Sequence, residues 1–188
     1  AKSDKCDALF AAPGNPGIAA LGTNVAIAVE DIDALLAFAL ENEIDFTIVG
    51  PEIPLCAGIV DAFEAQGQLI FGPSELAARL EGSKAFSKDV MKKYNVPTAA
   101  YEIFTDLEKA QGYIKAMGAP IVVKASGLAA GKGAIVCMTE PEALKAVDDM
   151  LGQNAVFGES GKEVVIEEFM TGEEASIFAI CNGTDYVV

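Results

Sequence analysis

Short apolar runs alternate along the first part of the chain with longer stretches whose apolar residues recur every third or fourth position. CDALFAAP (6–13), NVAIAV (24–29), DFTIVG (45–50) and QLIFGP (68–73) read as strands, and GNPG (14–17) as a turn. Between them, DIDALLAFALENE (31–43) reads as a helix behind an aspartate cap, and LCAGIVDAFEAQG (55–67) as a helix closed by a glycine. Buried strands separated by helices predict parallel βαβ units. The pattern changes at residue 74. SELAARLEGSKAFSKDVMKKYN (74–95) is helical with an interruption near Gly82, and VPT (96–98) ends it. YEIFT (101–105), PIVVKA (120–125), AIVCMT (134–139), EVVIEEFM (163–170) and ASIFAICNG (175–183) read as strands. DLEKAQGYIKAMG (106–118) and EPEALKAVDDMLG (140–152) read as helices, the second with proline in its first turn. The strands at 120–125 and 134–139 are expected to pair antiparallel across the glycine-rich loop between them. The fold class is therefore α/β: a parallel, Rossmann-like βαβ half, then an α+β half with hairpins, divided near Pro73.

Composition narrows the function classes. The net charge of −15 argues against nucleic acid as a partner, because neutralising phosphates requires a basic face. No apolar run approaches the ~20 residues of a membrane span, and AKSDKCD at the start lacks the basic-then-apolar pattern of a signal peptide. No obligate protein partner is evident. Cys6, Cys56, Cys137 and Cys181 are far apart and no histidine is present, which argues against a zinc site or a disulfide framework and for a reducing cytoplasm. The basic residues are unevenly placed. Between Lys5 and Arg79 there is neither lysine nor arginine, and two of the lysines in the second half flank or enter the glycine loop.

That loop, GLAAGKG (127–133), has the wrong spacing for a P-loop and no hydroxyl residue after Lys132, and it joins two strands where a P-loop joins a strand to a helix. Its glycines instead allow a hairpin tip to fold over a polyphosphate with backbone N–H groups inward. Lys124, flanked by Val122, Val123 and Ala125, must either snorkel or meet an anion. The acidic pair in VVIEEFMTGEEAS (164–176) is either a solvated strand end or a hinge that reads a base edge, followed by a carboxylate for ribose hydroxyls. Lys84 and Lys88 lie one helical turn apart, a spacing also common on solvated helices. Gly50, Pro51 and Glu52 follow one strand, and Gly14 and Asn15 another, the positions where ligands sit in doubly wound sheets.

Taken in order, APGNPG, VGPEIPLCAGIVDAF, IFGPSELAARLEGSKAFSKDVMKKYNVPTAAY, APIVVKASGLAAGKG and VVIEEFMTGEEAS closely resemble the phosphoribosylamine–glycine ligase family of the ATP-grasp superfamily. The resemblance implies a cytoplasmic ATP-dependent carbon–nitrogen ligase of purine biosynthesis. It would join glycine to 5-phosphoribosylamine through a glycyl phosphate, with ATP and Mg²⁺ or Mn²⁺ as cofactors. It implies phosphate contacts from Lys84 and Lys124, with Lys124 and Lys132 catalytic. Gly127, Leu128, Ala129, Ala130, Gly131, Lys132 and Gly133 would be a phosphate-covering loop. Glu167, Glu168, Phe169 and Met170 would be an adenine hinge, Glu174 a ribose ligand, and Gly14, Asn15, Gly50, Pro51 and Glu52 substrate contacts. The implied domains are an N-terminal pre-ATP-grasp domain over 1–73, a helical connection over 74–97, an ATP-grasp lid over 98–170 and the start of a second subdomain over 171–188. The family's opening strand with its GSGGREHA-type loop is absent, as are its later metal ligands. The chain is therefore expected to be a piece of a longer enzyme that lacks its first βα unit, binds ATP weakly or not at all by itself and has no metal ligand of its own. Another ATP-grasp carboxylate–amine ligase and a non-catalytic nucleotide-binding module are the competing readings.

Overall fold

The computed structural model describes residues 1–129, 131–153 and 155–188. In the first half, strands β1 (Phe10–Ala11) and β2 (Thr23–Asn24) pair in parallel around a one-turn helix α1 (Pro16–Ala19). The expected turn at 14–17 is thus partly helical. The Asn15 side chain accepts from the Ile18 N–H at 3.0 Å, and proline at the first helical position has no N–H that would need an acceptor. Helix α2 (Ile32–Glu41) starts at the Asp31 cap, whose carboxylate accepts from the Ala34 N–H. Strands β3 (Thr47–Ile48) and β4 (Ile70–Phe71) form a second parallel pair. The helix expected over 55–67 is two helices, α3 (Glu52–Cys56) and α4 (Ile59–Ala65). Gly58 divides them at φ +83°, a left-handed conformation that ends one helix and starts the next. Ala39, Ile59, Val60, Phe63 and Ile70 form the core here.

The four parallel strands are shorter than the apolar runs that predict them, and among the described residues the two pairs are not hydrogen-bonded to each other. An apolar cleft of about 390 Å³ lies against both pairs, lined by residues that include Leu9, Phe10, Phe38, Phe46, Ile48 and Phe63 and by no charged side chain.

The second half begins with α5 (Glu75–Gly82) and α6 (Lys84–Lys93). Ser83 breaks the helical path with an extended backbone and caps α6 by accepting from the Phe86 N–H at 3.2 Å. Strands β5 (Tyr101–Phe104), β6 (Ile121–Ala125), β7 (Ala134–Cys137) and β8 (Val164–Glu168) form one antiparallel sheet in the order β5-β8-β6-β7. The expected β6–β7 hairpin is present, with Lys124 opposite Ala134. Helices α7 (Leu107–Met117) and α8 (Glu140–Leu151) cover one face. Period-2 alternation sends Ile121, Val123, Ala125, Val164 and Ile166 to that face, where they meet Ala110, Ile114, Ala146, Val147 and Met150. Each fully buried Val, Ile or Met contributes roughly 1.5–3 kcal/mol, so this side anchors the sheet. The strand expected over 175–183 is reduced to β9 (Ile180–Cys181), paired with β10 (Tyr186–Val187). No described helix is long and apolar enough to cross a membrane.

Candidate functional site

The opposite face of the same sheet carries the charged cluster. Val122 pairs directly with Glu167 and Lys124 with Val165, so Lys124 and Glu167 are diagonal neighbours on one face. Tyr101, also opposite Glu167, shares it. Helix α6 brings Lys88 to the same point. The Glu167 carboxylate is only 5% exposed and lies between two ammonium groups. Its Oε1 is ion-paired with Lys124, and its Oε2 lies 2.6 Å from Lys88 Nζ. Lys88 approaches Oε2 without the alignment of a hydrogen bond, so that oxygen has a charge partner but no aligned donor. Burial pushes the Glu167 carboxyl up, but the hydrogen bond from Lys124 and the charges of Lys124 and Lys88 outweigh it and hold the group below the ordinary carboxylate value. Lys124 therefore does meet an anion. In this structure the anion is Glu167.

Lys84 is the first residue of α6, at the mouth of the glycine loop. Ser126, buried at the end of β6, fixes it there. The Ser126 carbonyl accepts from the Lys84 N–H at 2.8 Å, and its hydroxyl accepts from the Ala85 N–H at 3.1 Å while donating to Glu163 at 2.9 Å. Lys84 Nζ donates to the Gly127 carbonyl at 3.2 Å. Burial pushes the Lys84 ammonium below its ordinary value. Glu81 opposes that shift and Lys124 adds to it, so two mutually repelling cations stand beside the loop. Gly127 packs against Ser160, to whose carbonyl its N–H donates at 3.1 Å, and a Cβ there would lie 2.8 Å from the Ser160 Cα. Gly131 has φ +76°.

The remaining predicted residues are spread more widely. Leu128 and Ala129 are half-buried, and Lys132 is exposed with its N–H donating to the Ala129 carbonyl. Gly133 accepts from the Ala125 N–H at 2.7 Å, closing the hairpin neck. Ala130 lies outside the described residues. Glu168 differs from Glu167: it is exposed, and its carboxylate accepts from the Ala100 N–H at 3.2 Å. Phe169 and Met170 follow the last rung of β8, and Glu174 is exposed. Gly14 and Asn15 sit at the end of β1, and Gly50, Pro51 and Glu52 at the end of β3. Two residues central to the cluster, Lys88 and Ser126, were not assigned a role from sequence. The signal for Lys88 was its spacing of one turn from Lys84. Ser126 carried none, because its partners are distant in the chain.

The donors around Lys84, Lys124 and the 127–133 loop suit a polyphosphate. They are two half-buried ammonium groups and a glycine-rich backbone, beside a strand end that continues into exposed chain. No three Asp, Glu or Cys side chains converge among the described residues in a way that could hold a metal ion.

The chain matches two family models: phosphoribosylglycinamide synthetase, N domain, over residues 1–81, and phosphoribosylglycinamide synthetase, ATP-grasp (A) domain, over residues 82–188. It is 57% identical over 185 residues to the phosphoribosylamine–glycine ligase of Vibrio vulnificus strain YJ016, covering 97% of this chain and 43% of that protein. The crystal structure of the phosphoribosylamine–glycine ligase of Thermotoga maritima superimposes with a TM-score of 0.74 at 32% identity, over 96% of this chain and 42% of that one. The biotin carboxylase domain of the Hydrogenobacter thermophilus 2-oxoglutarate carboxylase, solved with MgADP, ADP and bicarbonate, matches with a TM-score of 0.63 at 25% identity, over 79% of this chain and 34% of that one. The chain thus spans less than half the length of the ligases it matches. On these matches, the α/β chain with its parallel first half and antiparallel lysine-bearing sheet belongs to the phosphoribosylglycinamide synthetase family of ATP-grasp ligases.

Proposed function

We propose that this chain contributes the nucleotide-phosphate site of an ATP-dependent ligase that joins glycine to 5-phosphoribosylamine. The observation that carries the reading is the convergence of Lys84, Lys124 and the 127–133 loop at one end of the antiparallel sheet, in a chain otherwise strongly acidic. ATP would supply the phosphoryl group that activates the glycine carboxylate for attack by the ribosylamine nitrogen. Lys84 and Lys124 would neutralise phosphate charge, Lys132 would add charge at the loop tip, and the loop N–H groups would cover the phosphates. Catalysis of this kind is positioning and electrostatic stabilisation.

Glu167 to Met170 form the base-reading segment in this reading, since they end β8 beside Lys124, and Glu174 takes the ribose hydroxyls. Gly14, Asn15, Gly50, Pro51 and Glu52 take the ribosylamine substrate, because they lie in turns that follow parallel strands. Mg²⁺ or Mn²⁺ would accompany the nucleotide, on ligands other than the described residues of this chain. The proposed units are the N-terminal domain (1–73), the helical connection (74–97), the lid (98–170) and the start of a further subdomain (171–188). The two family models meet inside the helical connection. The site of action is the cytoplasm, in keeping with four unpaired thiols.

The test is the purified gene product carrying this sequence, given ATP with glycine and phosphoribosylamine. Phosphate release that requires both substrates, with formation of their amide, is the expected result. ATP consumption driven by bicarbonate or by another amino acid instead would overturn the substrate assignment.

A further inference from the structure

We propose that Lys88 is a positioning residue that takes up the charge of Glu167 so that Lys124 is free to leave that carboxylate for an anionic ligand. The inference rests on the phosphate-site reading above. Two ammonium groups share one buried carboxylate, and the structure treats them differently. Lys88 has 11% of its side chain exposed and is surrounded by acceptors. Besides Glu167 Oε2, it donates to Thr98 Oγ1 at 2.7 Å and approaches the Ala99 carbonyl at 3.4 Å. Two hydrogen bonds and one buried ion pair thus surround the ammonium. Its Nζ also lies 5.2 Å from the centre of the Tyr101 ring, and the Tyr101 hydroxyl donates to the Lys88 carbonyl at 3.0 Å. Such a lysine is held in place by these contacts and, at 11% exposure, has little room to turn toward a ligand. Lys124 is 29% exposed, and Glu167 is its only ion-pair partner among the described residues.

The charge balance follows from this arrangement. With Lys88 present, the three groups sum to one positive charge, and when Lys124 leaves, a neutral Lys88–Glu167 pair stays behind. Without Lys88, Lys124 and Glu167 would form a neutral buried pair. Lys124 could then leave only by stranding an uncompensated carboxylate, which is strongly unfavourable. Lys88 thus converts Lys124 from a structural counter-ion into an available one, without touching the ligand itself.

The experiment uses the gene product labelled with ¹³C at lysine Cε and titrated with magnesium-free inorganic tripolyphosphate. The variants are Lys88→Met, Lys88→Arg, Glu167→Gln and the double variant Lys88→Met/Glu167→Gln. The wild type should show a saturable Lys124 shift. Lys88→Met should weaken the apparent affinity about tenfold, the scale of one charge-assisted contact, and Lys88→Arg should keep it within a few-fold. The double variant should recover to near the affinity of Glu167→Gln alone, because a neutral side chain at 167 leaves nothing for Lys88 to offset. A lysine that only straps α6 to the sheet would give a Lys88→Met protein with lower Tm and no recovery in the double variant. That result, or wild-type affinity in Lys88→Met, overturns the inference while leaving the phosphate site standing. A wild type whose Lys124 signal never responds removes the phosphate-site reading itself, and this inference with it.

Discussion

Glu167 and Glu168 are adjacent and chemically identical, yet they have opposite fates. The pleat sends Glu167 to the face reached by α6, where two lysines enclose it, and Glu168 to the other face, where its place at the end of β8 leaves it exposed. The alternation itself is legible in VVIEE. Which face is covered, and by what, is decided by Lys88 some eighty positions earlier, and no local pattern carries that. Lys124 was legible as a choice, because a lysine inside an apolar strand must either snorkel or meet an anion. The identity of its partner was not. A pH prediction follows from Glu167. Burial raises its carboxyl, but the two lysines lower it more, so its folded value lies below its unfolded one. Its contribution to stability is therefore fully present above the ordinary carboxylate range and disappears as pH falls through the depressed folded value. Thermal melts across acidic pH should show a shallower acid limb for Glu167→Gln than for the wild type. Superimposable acid limbs would mean that the two lysines do not hold this carboxylate ionised.

At the scale of elements, the sequence presents the glycines of the 127–133 loop as one device for backbone freedom. The structure divides the work. Gly131 supplies a left-handed residue with open space around it, while Gly127 permits close approach to the backbone of Ser160. The same division explains why the break in the 55–67 helix was missed: a glycine inside a helical pattern gives no sign of whether it will adopt φ < 0 or φ > 0, and Gly58 takes the second. Gly127→Ala should push the loop off Ser160 and disturb the carbonyl that Lys84 holds, costing about 1–3 kcal/mol as overpacking does. Gly131→Ala, strained only in its backbone, should cost about 1 kcal/mol. Denaturant midpoints of the two variants provide the check, and a larger loss at Gly131 than at Gly127 would contradict this assignment.

On the scale of the whole molecule, the change from parallel to antiparallel strands was legible, because helices separate the first strands whereas a short glycine loop joins β6 to β7. Strand order was not legible. Hydrophobic periodicity identifies strands without naming their neighbours, so neither the β5-β8-β6-β7 order nor the separation of the two parallel pairs could be read from it. The positions of the basic residues stand out for a physical reason: in a chain of net charge −15, lysines gathered beside a glycine loop are where the proposed polyphosphate site would find a local positive field.

The central claim is that Lys124 faces the nucleotide phosphates, and the most direct measurement is kcat/KM for ATP in the ligase reaction of the gene product, comparing Lys124→Met with Lys92→Met. The methionine keeps the apolar stem and removes the charge, while Lys88 remains to pair with Glu167, so the fold is expected to hold. One charge-assisted contact is worth roughly 1.5–3 kcal/mol, which predicts a loss of about 10- to 150-fold for Lys124→Met. Lys92 is exposed on α6 and should stay within about threefold of wild type. Equal losses in both variants, or a Lys124→Met enzyme indistinguishable from wild type at subsaturating ATP, would contradict the assignment of Lys124 to the phosphates.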